Sequence, residues 1–473
     1  MSPMPNILWI CTDQQRWDTI CALGNPRIRT PNLDRLVAEG VSFTSAYSQS
    51  PICTPSRASF LTGRYPRTTR ARQNGQNIPP DERLITRMLA DVGYDCGLVG
   101  KLHLSACDKR VEERIDDGYR VFHWSHHPAP DWPENAYIQW MESKGKTWAE
   151  LYHRPPDAPA WAGVPAEYHQ TTWCAEKTIE FITEARNGPW LMSVNTFDPH
   201  HAFDPPQDYL NRYDPDALPA PAYRPEELAD KPRFQQIDHE GAYGGNGLSF
   251  AKTTDRQHRE VIAAYYAMVE LIDDQVGRML KALDDSGQRE NTLIIFTSDH
   301  GEMLGDHGIF LKGPYFYEPA VHVPLILSWP GRFNAGLKSD ALVELVDLVP
   351  TLLGACGQEV PERVQGRSLL RICTGDADAG HHRDFVQSEY YNGMPGHKDP
   401  AAFATMWRNR RYKIVVHHGT EPGELYDLKT DPGEFTNLWN NPDCRDLKLD
   451  LIKKCFDASV FTMDPHPPRL GRF

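Results

Sequence analysis

The chain of 473 residues lacks any run of about 18 apolar residues, so no membrane-spanning helix is expected. It lacks a basic excess. Fifty Lys and Arg stand against 64 Asp and Glu, a formal net charge of −14. That balance argues against nucleic acid or an anionic membrane surface as a partner. It also means that an anionic substrate must be captured by a local cationic pocket, against the field of the whole chain. The ten cysteines lack C-x-x-C spacing, which points to reduced thiols rather than a disulfide framework or a zinc clip. The opening segment, MSPMPNILWICTDQQ, lacks a charged n-region, and its apolar stretch is short for a signal and reads as a strand. A cytoplasmic protein is therefore expected. Internal repeats and low-complexity tracts are absent as well.

What is present is an alternation of short apolar runs with helical periodicities. Asn6–Cys11 predicts a buried parallel strand with Asp13 and Gln14 at its polar end. Thr30-Pro31 opens a helix as N-cap and first-turn proline, and Gly40 closes it. Val41–Tyr47 predicts a second strand, with Cys53 in the loop after it. Asp81–Val92 has helical spacing. Tyr94–Gly100 and Trp190–Thr196 predict further strands, the latter ending at Asp198 and His200. Asp255–Leu283 is a long amphipathic helix. Thr292–Thr297 is a central strand ending at Asp299 and His300. Val321–Leu327 follows as a strand, and then a helix near Val346–Cys356. This order predicts an α/β fold with a large doubly wound, mostly parallel sheet flanked by helices.

Two stretches interrupt the pattern, about 120–170, dense in Trp, His and Pro, and about 204–250, rich in Pro, Tyr and Gly. Long irregular insertions are commonly functional. They are expected either to overhang the strand ends and shape a pocket or to make subunit contacts. Trp124, Trp132, Trp140, Trp148 and Trp161 suit stacking on a ring, or ordinary packing. Beyond residue 377 the texture changes. Phe403–Val416 predicts antiparallel strands, followed by Glu424–Leu428, a turn at Asp431-Pro432-Gly433 and a helix to about Phe456. Residues 1–377 are thus read as the catalytic domain and 378–473 as a small C-terminal α+β subdomain.

Residues 53–64, CTPSRASFLTGR, place Cys53 just ahead of a helix-compatible run with Arg57 four residues on. The positive end of a helix dipole and a nearby arginine both stabilise an anionic nucleophile or ligand there. A bare C-x-P would read as an inert buried thiol. The strand ends add a second constellation. Asp13, Gln14, Asp299 and His300 lie beyond strand carboxyl ends, where ligands collect in open α/β sheets. Two carboxylates, an amide oxygen and an imidazole suit a divalent cation.

The full string C-x-P-S-R with its Leu-Thr-Gly-Arg tail resembles the signature of the type I, formylglycine-dependent sulfatases of the alkaline phosphatase superfamily. The resemblance extends over nearly the whole chain. PNILWICTDQQ looks like the family's opening strand, Gly100-Lys101-Leu102-His103 its G-K-x-H element, DPHHAF its histidine loop, TSDHGEMLGDHGIFLKG its second metal segment and active-site lysine, and LYDLKTDPGEFTNLW its C-terminal signature. The resemblance implies that Cys53 is oxidised to formylglycine by a maturation enzyme. It implies Asp13, Gln14, Asp299, His300 and modified Cys53 as ligands of one divalent cation, with Ca²⁺ first and Mn²⁺ or Mg²⁺ next. It implies Arg57, Lys101, His103, His200 and Lys312 as the polar pocket, with His201 an alternative to His200.

The expected reaction is hydrolysis of a small-molecule sulfate ester, with His200 or Lys312 protonating the leaving group and His103 or a ligand carboxylate assisting release. The pairing of Gln14 with His300, where many arylsulfatases have Asp and Asn, also occurs in the related phosphonate monoester hydrolases and in some sulfatases. A phosphonate monoester or phosphodiester hydrolase with the same machinery is the second reading, and an inactive binding paralogue the third. A homo-oligomer is compatible with the sequence.

Overall fold

Asn6–Thr12 is apolar almost throughout and every residue in it is buried. The reason is its place at the middle of an eight-stranded sheet, with Trp190–Asn195 paired parallel on one side and Thr292–Ser298 parallel on the other. Alternate residues face opposite ways. Ile7, Trp9 and Cys11 enter one apolar cluster, and Leu8 and Ile10 enter another on the opposite face. Both faces are covered by helices, which is the doubly wound arrangement the sequence predicts.

The computed structural model describes residues 4–394, 396–397, 401–420, 422–464 and 470–472. Across the large sheet the strands run Leu337–Ser339, Val41–Phe43, Leu325–Ser328, Thr292–Ser298, Asn6–Thr12, Trp190–Asn195, Asp95–Gly100, Tyr119–Trp124. Leu325–Ser328 runs antiparallel to both neighbours, and the other pairings are parallel. The predicted helix at Pro31 spans Pro31–Glu39. The free N–H groups of Asn32 and Leu33 donate to Asp273 of the long helix Asp255–Asp285, at 3.1 and 2.7 Å. One buried carboxylate thereby satisfies a helix start that its own N-cap side chain does not.

Several predicted elements differ. Val41–Tyr47 is two strands. Val41–Phe43 joins the large sheet, whereas Ala46–Tyr47 joins a three-stranded sheet with His322–Val323 and Val343–Glu344. Val321–Leu327 divides in the same way, into His322–Val323 and Leu325–Ser328. Asp81–Val92 contains a helix only over Ile85–Ala90. Cys53 is not in a loop but is the first residue of the helix Cys53–Thr62. The stretch from 120 to 170 is less irregular than expected. It includes most of the edge strand Tyr119–Trp124 and the helix Ala136–Ser143, and it leads into the helix Gln170–Thr183. The stretch from 204 to 250 is built of short turns, 3₁₀ segments and the helix Arg233–Glu240.

The C-terminal sheet is four-stranded and antiparallel, Val386–Tyr391, Phe403–Arg408, Tyr412–His417, Glu424–Asp427, with the helix Arg445–Phe461 packed on it. Its other face shares an apolar cluster with Tyr47, Ile52 and Phe316. Among the described residues no helix is long and apolar enough to cross a membrane. All ten cysteines are free thiols.

Candidate active site

Adjacent parallel strands deliver the predicted site to one edge of the sheet. Asp13 and Gln14 follow Asn6–Thr12, Lys101 follows Asp95–Gly100, His200 lies past Trp190–Asn195, and Asp299 and His300 follow Thr292–Ser298. The turn before Lys101 demands glycine. Gly100 has φ +96°, and a Cβ there would lie 1.9 Å from the carbonyl oxygen of Asn195.

Cys53 comes from a different element, the helix Cys53–Thr62, all of whose residues are buried. Its Sγ lies 2.9 Å from Lys312 Nζ, 3.6 Å from Lys101 Nζ, 3.2 Å from His300 Nε2 and 3.6 Å from Asp13 Oδ1. Burial and Asp13 push the thiol up, but Lys101, Lys312 and His300 outweigh them and bring it down to about 5. The site is therefore built to hold negative charge at residue 53.

Arg57, one turn along the helix, is 1% exposed. Its Nε donates to Asp299 Oδ2 at 2.8 Å, and its Nη1 donates to the Lys101 carbonyl at 2.7 Å. It ties two strand ends together rather than lining an open pocket. Lys101 pairs with Asp13. Burial raises Asp13, but the neighbouring cations, Lys101 foremost, hold it well below the usual carboxylate range. Burial, and after it the charge of Asp13, raise Asp299.

Asp13, Cys53, Asp299 and His300 bring one ligand atom each within 4.8 Å of one another. Gln14 is held at φ +68°, and its N–H donates to Asp299 Oδ1 at 3.0 Å. Its side-chain amide donates to Glu302, while its Oε1 is buried without a protein partner. His300 Nδ1 bonds the Gly301 carbonyl at 2.9 Å, which aims Nε2 at the Cys53 side, where its lone pair would serve a cation in place of the proton. Two carboxylates, an orphaned amide oxygen and an oriented imidazole fit a hard divalent cation.

The histidines stand around this cluster. His200 Nδ1 lies 2.6 Å from the His201 carbonyl, and the two rings stack at 4.1 Å. Burial and then Lys312 hold His200 well below its ordinary value. His103 sits at φ +58° with Nδ1 buried and unpartnered, and burial and then Lys101 lower it likewise. Among the described residues neither ring hydrogen-bonds to Cys53.

Two supporting carboxylates escaped sequence reasoning. Glu302 accepts from Gln14, from Leu304 N at 2.8 Å and from Leu311 N, so it links the cation site to the loop bearing Lys312. Its place two residues after His300 was the available signal. Glu112 accepts from the N–H groups of His103, Leu104 and Ser105 at 2.7, 2.6 and 3.0 Å, and from the Trp124 indole at 2.8 Å. In sequence it lies within DKRVEER, which reads as a solvated loop.

Among the insertion tryptophans, Trp124 and Trp132 stack on each other, and Trp140 packs against Tyr137. Trp161 lines a cleft beside the site.

A mostly parallel α/β sheet that gathers an acidic cation site, a charge-stabilised residue at a helix N-terminus and two ammonium groups defines a class of hydrolase acting on anionic esters. Comparison with known proteins assigns the family. The Sulfatase family model matches residues 5–358, and the model for the C-terminal region of N-sulphoglucosamine sulphohydrolase matches residues 305–460. The chain belongs to the sulfatase family. It is 30% identical to an arylsulfatase of Clostridium perfringens, over 95% of this chain and 93% of that protein. It is 31% identical to the multifunctional alkaline phosphatase superfamily protein PehA of Trinickia caryophylli, over 95% and 94%. Among solved structures, a phosphonate monoester hydrolase from Silicibacter pomeroyi superposes with a TM-score of 0.85 at 28% identity, covering 97% of this chain and 96% of that one.

Proposed function

We propose that this chain hydrolyses sulfate monoesters with formylglycine, made from Cys53 by a maturation enzyme, as its nucleophile. The observation that carries this reading is the convergence of Lys101 and Lys312 on the residue 53 side chain, at 3.6 and 2.9 Å, beside Asp13, Asp299 and His300. When matured, residue 53 presents two hydroxyls on one carbon, one to attack sulfur and one to expel sulfate.

Asp13, Gln14, Asp299 and His300 would hold the cation, Ca²⁺ first and Mg²⁺ or Mn²⁺ next, and when bound it supplies Lewis acidity at residue 53. Lys101 and Lys312 neutralise the sulfate oxygens as charge builds, from positions fixed before substrate arrives. Arg57 keeps Asp299 and the Lys101 backbone in register. His200 is neutral in the free site. Its Nδ1–H is held by the His201 carbonyl, so Lys312 is the proton donor toward the leaving oxygen. His103, neutral and with an unpartnered ring nitrogen, is the base for the release step.

A phosphonate monoester hydrolase with the same machinery is the second reading. The likeness to the Silicibacter pomeroyi enzyme favours it, and Gln14 and His300 in the ligand set are compatible with both readings. Co-expression with a formylglycine-generating enzyme, followed by rates on para-nitrophenyl sulfate and on a matched aryl phosphonate monoester, separates the two. Faster sulfate hydrolysis is expected. A phosphonate rate that exceeds it reverses the assignment. Peptide mass spectrometry should find aldehyde at residue 53, and thiol alone in protein so matured would favour a binding paralogue.

A further inference from the structure

A cleft of about 630 Å³ opens beside the catalytic cluster. His201, one of its walls, stacks on His200 at 4.1 Å, and Leu311, another, precedes Lys312. Tyr243 forms part of the same wall, with its hydroxyl 3.5 Å from His201 Nε2. The cleft therefore begins on the side of the site where a leaving group would depart.

Its chemistry is specific. Half-buried Tyr243 supplies aromatic surface, and the buried Trp161 and Phe203 back the wall. The Arg154 guanidinium lies over the Trp161 ring, 5.0 Å from its centroid. Lys252 enters from the segment that follows Phe250. Among the described residues neither Arg154 nor Lys252 has an ion-pair partner, although the chain carries a net charge of −14. Asp157 is the cleft's one acidic lining residue. The smaller neighbouring cavity, about 210 Å³, has no lysine or arginine among its lining residues, and burial raises the carboxyls of Asp198 and Asp204 that line it, so only the larger cleft offers fixed cations to an anion.

We propose that this cleft holds the leaving group, and that the natural leaving group is a ring carrying an anionic substituent, gripped by Arg154 and Lys252 while the ring lies along the wall that Tyr243 forms. This rests on the sulfate-ester reading and specifies its substrate class. A guanidinium that is stacked but not paired keeps its planar fork free for a carboxylate or sulfonate. Held away from the reacting centre, the contact adds binding that lowers KM more than it raises kcat.

The test uses the matured, metal-loaded full chain with three esters, meta-carboxyphenyl, meta-sulfophenyl and meta-carbamoylphenyl sulfate. The first and third match in shape, and the carbamoyl group is the stronger electron withdrawer, so intrinsic reactivity favours the neutral ester over the carboxylate. The expected result is kcat/KM about five- to tenfold higher for an anionic ester than for the carbamoyl ester at low salt, the size of one or two partly exposed charge pairs. High salt should shrink that ratio. The double variant Arg154→Gln with Lys252→Gln should bring it to about one. A wild-type ratio near or below one, or a preference that survives in the double variant, overturns the proposal.

Titration with the product phenols, meta-hydroxybenzoate against meta-hydroxybenzamide, reads the cleft without chemistry. Tighter binding of the benzoate that disappears in the double variant supports the subsite, and equal binding overturns it. Turnover of none of the three esters would count against the sulfatase reading alone, and the titration would then decide the subsite by itself.

Discussion

Lys312 Nζ lies 2.9 Å from Cys53 Sγ, across a sequence separation of 259 residues. Lys101 approaches the same sulfur at 3.6 Å. Two ammonium groups around one buried atom would repel each other without compensation. Asp13 pairs with Lys101, and the Cys53 thiolate balances the rest. In a turnover complex the sulfate group would take over that balancing charge. Lys312→Ala is therefore expected to lower kcat by about a hundredfold or more while the fold, read by circular dichroism, is retained. A rise in KM alone would make the contact ground-state binding. Unchanged kcat/KM would remove Lys312 from the mechanism.

Cys53→Ala should abolish turnover with little loss of stability, because the side chain lost is small. Cys53→Ser should accumulate a stable sulfate ester, since serine lacks the second hydroxyl that expels sulfate. Intact-mass measurement after one addition of substrate checks this. Wild-type rates in the alanine variant would contradict the assignment of the nucleophile.

Asp299→Asn should lose bound divalent cation and activity together. It removes one of two carboxylates from the cation site and weakens the partner of the buried Arg57. Adding Ca²⁺ to wild-type protein stripped with chelator should raise Tm, because a ligand bound only by the folded state stabilises it. The variant should show no such rise. Equal metal content by elemental analysis in variant and wild type would show that the site lies elsewhere.

Glu112→Ala should act at a distance. Three consecutive backbone N–H groups and the Trp124 indole would lose their acceptor in a buried place. Each donor left unsatisfied costs about 1–3 kcal/mol, so Tm should fall by several degrees. kcat should fall about tenfold through displacement of Lys101 and His103, and Glu112→Gln should recover part of both. An alanine variant that melts lower but turns over normally would confine Glu112 to stability.

Asp347 gives a pH signature. Burial opposes its charge, but Arg383, His382 and the Arg367 N–H together outweigh burial and bring it from 3.8 to about 2. The folded value is depressed, so its stabilisation is fully present above about pH 4 and is lost as pH falls through about 2. Glu344, on the same arginine, is raised by burial and opposes this in the acid range. Asp347→Asn should cost about 2 kcal/mol at pH 7, measured by urea unfolding, and the gap to wild type should narrow from pH 5 to pH 3. A gap independent of pH would show that the charge contributes nothing.

Much of this was readable in the chain. The string at 53–64 and the polar residues after Asn6–Cys11 and Thr292–Thr297 are local patterns, and the structure brings Cys53, Asp13, Asp299 and His300 into one cluster. Central strands are legible because burial on both faces forces continuous apolar runs. Tyr119–Trp124 was missed because a half-exposed edge strand keeps polar residues and loses that contrast, and Val386–Tyr391 because it buries Gln387, Ser388 and Glu389.

Sequence by itself determined the family, the class of fold and the identity of the chemical groups, since each is carried by contiguous residues whose meaning does not depend on distant partners. Tertiary structure decided the rest. It divided Val41–Tyr47 and Val321–Leu327 between two sheets, because strand ends are set by available pairing partners and not by propensity. It turned Glu112 and Glu302, outwardly ordinary acidic residues, into buried braces for the two lysine loops. It set Arg154 and Lys252 in one cleft beside His201. Hydrophobic periodicity is a property of neighbours along the chain, whereas the convergence of charges on a common atom or cavity is a property of the packed sheet and its loops.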